Sequence, residues 1–205
     1  MKITELSYGK TNPDRVNVFV DGEYALSLED VEIVVRGIKV GMEITQKELE
    51  SLAFESSYGK AKKKALDILS RKSISEKMLF DDLKEKGFED IVTAEVIREL
   101  KDLGYIDDLS YTIMFFEMAR EKLWGIKKIR YELGRKGIDE NIIEDALLDV
   151  GPAGFEEIAE AIKVRYASED LTDIKAKQRI MRYFAARGFE FSDIEKAFNI
   201  LKKDR

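Results

Sequence analysis

The sequence predicts a mainly α-helical protein, in which three tandem three-helix repeats follow a small N-terminal β-hairpin subdomain and form an elongated, curved array. The main observation is a basic-Gly-apolar tripeptide that recurs at residues 86–88, 136–138 and 187–189. Its glycines are 50 and 51 residues apart, and a fixed period of this length is typical of helical repeat proteins. The second observation is a short stretch of alternating apolar residues near the N-terminus, which indicates strands there.

The β-hairpin is the only sheet element that the pattern indicates clearly. Every second residue from 16 to 20 is a valine, and Asp21-Gly22 then separates this segment from a second apolar one. The Asp-Gly pair favours a two-residue type I′ turn, because both residues tolerate positive φ. A short helix near residues 29–36 follows the hairpin.

Each repeated glycine, Gly87, Gly137 and Gly188, is interpreted as a helix C-cap in the left-handed conformation. The preceding Lys or Arg then lies near the negative end of the helix dipole, and the following apolar residue folds back onto the core. Apolar residues four and eight positions before each glycine share one helix face. They are Leu83 and Leu79, Leu133 and Ile129, and Phe184 and Ile180.

Helical periodicity predicts three helices in each repeat. They are expected at 57–72, 75–86 and 92–103 in repeat one, at 108–123, 126–136 and 139–149 in repeat two, and at 153–167, 173–187 and 191–203 in repeat three. The domains that follow from this are an N-terminal β-hairpin subdomain at 1–50 and helical repeats at 56–107, 108–150 and 151–205.

The composition argues against several classes of protein. Cysteine and histidine are both absent, which removes thiolate nucleophiles, disulfides, the commonest metal ligands and every Ser-His or Cys-His arrangement. No glycine-rich phosphate loop precedes a helix. We therefore expect a protein that is not an enzyme and has no catalytic residues, metal site or cofactor. The lack of cysteine and of long apolar segments favours a cytoplasmic protein that makes no membrane contact.

Positive charge is concentrated in particular helices, although the net charge is −6. If the basic stretches of successive repeats line up, they form a stripe suited to a polyanion or an acidic protein surface. The alternative is a set of solvated helix faces with ion pairs to the acidic helix at 139–149. The predicted partner-binding residues are Lys60, Lys63, Lys64, Arg71, Lys127, Lys128, Arg135, Lys136, Lys175, Arg179, Arg182 and Arg187.

Two further features have structural interpretations. Asp107 and Asp108 come directly before a long apolar helix, where an N-cap and a first-turn acid are expected rather than metal ligands. Trp124 is the only tryptophan and stands at a helix junction, so it is interpreted as a core residue rather than a stacking platform.

These residues resemble the RecX family over the whole chain. The most specific segment is LKDLGYIDD at 100–108, which is similar to the family's Leu-x-x-x-Gly-x-x-Asp-Asp signature. Further segments that resemble the family are GIKKIRYELGRKGI at 125–138, RYFAARGF at 182–189 and the hairpin at 15–28. Tyr111-Thr112 replaces the family's usual Phe-Ala, and Ile126 stands where proline is frequent.

The resemblance implies a regulator of DNA repair, recombination and the SOS response, which binds the RecA recombinase filament and inhibits its strand exchange, ATPase and co-protease activities. We expect a monomer that makes at most weak, non-specific contact with single-stranded or double-stranded DNA. One rival interpretation is a protein that binds DNA directly, through the DNA backbone. Asn and Gln side chains read base edges, and Gln178 is the only one of them on the basic helices, so little sequence specificity is expected. A helical scaffold for another protein partner is the third.

Overall fold

Three antiparallel strands open the fold in the computed structural model, which describes residues 1–9 and 14–203, the side chain of residue 203 excepted. They are β1 (Ile3–Tyr8), β2 (Arg15–Val20) and β3 (Glu23–Glu29), in the order β1-β2-β3. The predicted hairpin of β2 and β3 is confirmed, because Asp21 and Gly22 have φ of 50° and 89°, as a type I′ turn requires. β1 is an addition that the sequence did not predict, and its pairing with β2 shifts register between Ile3 and Glu5.

One face of the sheet forms the N-terminal core. The alternating residues Val16, Val18 and Val20 are buried, as the period of two along a strand dictates. Apolar residues from outside the sheet close this core, among them Ile38, Ile44 and Leu52. The short helix α1 (Asp30–Val35) follows β3 directly.

All nine predicted repeat helices are present among the described residues. They are α2 (Gln46–Leu69), α3 (Glu76–Glu85), α4 (Asp90–Asp102), α5 (Asp108–Glu121), α6 (Ile126–Arg135), α7 (Glu140–Val150), α8 (Phe155–Arg165), α9 (Ile174–Ala186) and α10 (Phe191–Lys203). The ends differ from the prediction by at most two residues except at α2. The predicted start of that helix at residue 57 is wrong, because Thr45 and Glu48 form a capping box: the Thr45 N–H donates to Glu48 Oε2 at 2.8 Å, and the Glu48 N–H donates to Thr45 Oγ1 at 3.2 Å.

The predicted glycine caps are confirmed in all three repeats. Gly87, Gly137 and Gly188 have φ of 87°, 78° and 86°. In each case the following residue donates its backbone N–H to a carbonyl five positions earlier, at 3.3, 3.1 and 3.2 Å respectively, which completes the Schellman motif. The six apolar residues predicted before the glycines are at most 1% exposed, so the shared helix face is the core face.

The backbone divides into two compact units. One contains Met1–Asp67 with Leu83–Val96, and the other contains Ile68–Asp82 with the chain from Ile97 onward. In the second unit, repeats two and three each have their own apolar core, centred on Ile129 and Leu133 in one and on Ile180 and Phe184 in the other. The predicted third repeat extends to residue 205, and residues 204–205 lie outside the described part.

Candidate partner-binding surface

α9 is the most strongly basic element of the candidate surface. Its 13 residues include four cations and no acid, and its N-cap Asp173 accepts hydrogen bonds from the Lys175 and Ala176 backbone N–H groups at 3.2 Å. Lys175, Arg179 and Arg182 are exposed and share one face, since they stand at i, i+4 and i+7. The predicted basic face of this helix is therefore solvent-accessible.

The three cations of this face differ in their partners. Arg179 forms an ion pair with Glu169, which compensates its charge. Arg182 Nε donates only to the Gln178 backbone carbonyl at 3.3 Å, and no described residue contacts the Lys175 side chain through a hydrogen bond or an ion pair. Two uncompensated positive charges, those of Lys175 and Arg182, thus remain on this face of α9.

The cations of α6 are largely paired within the protein. Lys127 Nζ lies 2.7 Å from Glu190 Oε2, and Arg130 pairs with both Glu140 and Glu144 of the acidic helix α7. Arg135 lies 3.8 Å from Glu132. On this helix the structure favours the interpretation of a solvated, ion-paired face.

The basic residues of the first repeat also have different environments. Lys60 is half-buried, and its Nζ donates to the Ser27 carbonyl at 2.8 Å, where Arg15 Nη2 donates as well at 3.2 Å. Burial lowers the pKa of Lys60, and the positive charge of Arg15 lowers it further. Lys60 therefore joins the sheet to α2, whereas Lys63 is exposed and has no acidic partner in the described part of the chain.

The remaining predicted residues have mixed surroundings. Lys64 pairs with Asp67 at 3.2 Å, and Arg71 is exposed. Lys136 is half-buried, with its Nζ 3.9 Å from Met78 Sδ and 5.8 Å from the centre of the Phe115 ring. A single stripe through the three basic stretches stays a prediction.

Aromatic rings flanked by cations lie near the junction of repeats two and three. Trp124 packs against the core of repeat two, as predicted, and the Nζ atoms of Lys128 and Lys122 lie 4.2 and 5.4 Å from its ring centre. The guanidinium groups of Arg187 and Arg165 lie 4.5 and 5.1 Å from the centre of the Tyr183 ring. The sequence analysis did not predict Lys122 or Arg165 as surface residues. Arg165 and Tyr183 are 18 positions apart in the chain, so no local pattern indicates their contact.

The double aspartate forms helix caps. Asp107 accepts hydrogen bonds from the backbone N–H groups of Leu109 and Ser110 at 2.9 and 3.0 Å, and the hydrogen bond from the Ser110 hydroxyl is the main cause that lowers its pKa. Asp108 accepts the Glu76 backbone N–H at 2.8 Å and so caps α3 in the preceding repeat. Partial burial raises the pKa of Asp108.

Across residues 1–9 and 14–203, no group of three or more acidic side chains has the arrangement of a metal site. In the same residues, every helix is too short or too polar to cross a membrane.

Four family models match successive parts of the chain. They are the Regulatory protein RecX N-terminal domain at residues 1–45 and the first, second and third three-helix domains of RecX at residues 61–100, 107–147 and 155–198. Together these matches cover most of the sequence.

Individual relatives match over nearly the full length. Regulatory protein RecX of Caldanaerobacter subterraneus subsp. tengcongensis is 32% identical over 91% of this chain and 93% of its own. That of Clostridium beijerinckii is 31% identical over 98% and 95%. A crystal structure of regulatory protein RecX has a TM-score of 0.66 at 25% identity and covers 97% of this chain and 98% of its own. RecX from Lactobacillus salivarius gives a TM-score of 0.61 at 26% identity over 71% and 97%.

Proposed function

The chain belongs to the RecX family of regulatory proteins, and on this premise we propose that it binds the RecA–DNA filament and inhibits the strand exchange, ATPase and co-protease activities of RecA. It would then act in the regulation of DNA repair, recombination and the SOS response. The observation that carries the proposal for this chain is the exposed basic face of α9.

Charge complementarity supports this assignment. Lys175 and Arg182 are exposed and have no carboxylate partner among the described residues, and α9 itself contains no acid. On a chain of net charge −6, such a face is a local positive surface that attracts phosphate or acidic side chains. A filament of protein on DNA offers both groups.

Titration of the single-stranded-DNA-dependent ATPase of RecA with the purified protein tests the proposal. Wild-type protein should inhibit ATP turnover, and the variant K175E/R182E should lose most of that inhibition. The matched control is K39E/K47E, which changes the charge by the same amount at two exposed lysines outside the predicted basic stretches. Adding Arg179→Glu to the first variant should have a smaller further effect, because Glu169 already neutralises Arg179.

A second candidate function is direct binding of nucleic acid through its backbone. The cations beside Trp124 and Tyr183 favour it, because rings and positive charges together suit stacked bases and phosphates. Its measurable sign is tight binding to naked single-stranded DNA, with a salt dependence that falls by about one unit of log-log slope for each phosphate contact removed. Weak binding to naked DNA beside strong inhibition of RecA would favour the filament instead.

A further inference from the structure

Consecutive repeats in the second compact unit dock through one recurring contact. Ser75 Oγ, just before α3, donates to the Lys136 carbonyl at 2.6 Å, and the Gly125 N–H, just before α6, donates to the Arg187 carbonyl at 2.8 Å. Ser75 and Gly125 each stand 12 residues before the cap glycine of their own repeat. The start of one middle helix therefore binds the C-cap of the next.

The cap glycine is where the two elements approach most closely. A Cβ at Gly188 would lie 2.4 Å from the Lys128 backbone nitrogen, and one at Gly137 would lie 2.3 Å from Lys77 Cδ. At the second junction the Lys127 N–H also donates to the Gly188 carbonyl at 3.1 Å, and the Lys127 ammonium pairs with Glu190, two residues after the glycine. Two features are therefore common to both docking helices: a small N-cap residue that donates to the cap carbonyl, through its hydroxyl at Ser75 and its backbone N–H at Gly125, and a lysine two positions later.

Repeat one carries a third copy of this cap, and it is unoccupied. Apart from its chain neighbours, no described residue lies within 4 Å of a Cβ built on Gly87, and the Lys86 and Gly87 carbonyls accept no hydrogen bond from described residues. Glu89, two residues after the glycine, is exposed and has no described cationic partner. Ile91 beside it is 66% exposed. The two carbonyls and the Glu89 carboxylate are therefore available to a binding partner, and the space beside Gly87 is open to it.

We propose that Lys86, Gly87 and Glu89 form a docking surface for the first turn of an α-helix of a partner protein, one that begins with Gly or Ser and carries Lys or Arg two positions later. Unpaired N–H groups at a helix start need carbonyl acceptors, and the positive end of that helix favours the carbonyl end of α3. Glu89 then pairs with the partner's basic residue as Glu190 pairs with Lys127.

The helices of residues 1–9 and 14–203 do not include a spare docking helix of this kind. The residue 12 positions before Gly188 is Ala176, which is 7% exposed and whose N–H already bonds to Asp173. The start of α9 is thus closed, because the helix begins three residues earlier than the repeat pattern would place it. This leaves a separate protein as the occupant, and the inference does not depend on the RecA proposal.

The test uses the full-length, ¹⁵N-labelled protein and a stapled helical peptide with the sequence of residues 125–136, the segment that docks on Gly188 inside the chain. Addition of the peptide should change the amide chemical shifts of residues 86–91, and these changes should saturate. Gly87→Ala should abolish them, because the new Cβ occupies the contact. Gly104→Ala is the matched control: Gly104 has φ of 73° and open space around it, so it carries the same strain without the docking role.

A charge swap tests the assigned acid. Glu89→Lys should weaken binding about three- to fivefold, and a peptide with Glu in place of its lysine at position 127 should recover that loss, in line with an exposed ion pair. Absence of shifts at 86–91, or equal binding by wild type, Gly87→Ala and Glu89→Lys, would overturn the proposal. Shifts confined to 187–190 would overturn it too, as would concentration-dependent shifts at 86–91 without peptide, which would identify a second copy as the occupant.

Discussion

The three repeated glycines share a backbone conformation but differ in what surrounds them. All three have positive φ, which a side chain disfavours, yet only Gly137 and Gly188 also lie against the preceding repeat. At Gly188 the nearest atoms belong to the Lys128 backbone, whereas at Gly137 they belong to the Lys77 side chain. The sequence identifies the caps, but it does not distinguish the open glycine from the two in contact.

Alanine substitutions should therefore destabilise in the order Gly188, Gly137, Gly87. Gly87→Ala adds only the strain of positive φ, about 1 kcal/mol, and Gly188→Ala adds overpacking against rigid backbone, for a total of about 3 kcal/mol. Urea denaturation followed by circular dichroism measures the free energy of unfolding. Equal losses at the three positions would show that the repeats do not dock through their caps.

Asp107 should stabilise the fold as an ionised N-cap. Asp107→Ala should lower the free energy of unfolding by about 1–2 kcal/mol at neutral pH. Because its hydrogen bonds lower the pKa of Asp107 in the folded state, this contribution is complete above the unfolded pKa of about 3.9 and is lost as pH falls through the folded value. Denaturant titrations of wild type and Asp107→Ala from pH 7 to pH 3 measure the difference between their free energies of unfolding. This difference should become smaller at the acidic end, and a difference that stays constant would contradict the assignment.

The negative charge of Asp108, unlike that of Asp107, should not stabilise the folded protein. Burial raises the pKa of Asp108, so the ionised carboxylate is disfavoured in the folded protein. The contribution of Asp108 to folding stability therefore becomes more favourable as the pH falls. Asp108→Asn keeps an oxygen acceptor for the Glu76 N–H and should stay within about 0.5 kcal/mol of wild type, whereas Asp108→Ala leaves that donor unpaired and should cost about 1 kcal/mol or more. A loss with Asn as large as that with Ala would show that the charge itself is required.

The sequence could not predict which cations of the candidate surface contact residues far away in the same chain. Lys127 and Glu190, or Lys60 and Ser27, contact each other only after the chain folds. Residue type and helical spacing predict which face a cation occupies, but not whether an acid from another helix neutralises it. The basic face of α9 was foreseen, whereas the pairing of α6 was open between two interpretations.

Among the helices, α2 begins at a capping box that the sequence contains but that the apolar periodicity does not indicate. The Thr45 to Glu48 capping box marks its start, but the apolar periodicity becomes regular only later in the helix. β1 gave a weaker signal, because its burial pattern does not alternate and its register with β2 shifts near Ile3. Pairing with β2, rather than its own sequence, determines that strand.

The start of α2 should depend on the Thr45 side chain. Thr45→Ala removes the acceptor for the Glu48 N–H and should destabilise the first turn by about 1 kcal/mol, so that amide hydrogen exchange at residues 48–50 accelerates about fivefold. Ser51→Ala in the same helix removes only an exposed hydrogen bond to Glu55 and should leave these amides unchanged. Unaltered exchange in Thr45→Ala would contradict the assigned helix start.

Taken as a whole, the molecule combines a net charge of −6 with one strongly basic helix. It contains no histidine or cysteine to supply the commonest general base or nucleophile. We therefore expect that the protein hydrolyses neither ATP nor DNA by itself. Malachite-green phosphate release and a nuclease gel on highly purified protein check this, and a turnover that disappears with one point substitution would contradict it.

Direct binding of the protein to a preassembled RecA filament on single-stranded DNA is the measurement that tests the proposed function most directly. Fluorescence anisotropy of the labelled protein, with a non-hydrolysable ATP analogue holding the filament, should give tight binding for wild type and for K39E/K47E. The K175E/R182E variant should bind at least about tenfold more weakly, while its circular dichroism spectrum stays that of wild type. Equal affinity of a folded K175E/R182E variant would contradict the role of α9, and no binding of wild type to the filament would contradict the RecA proposal itself.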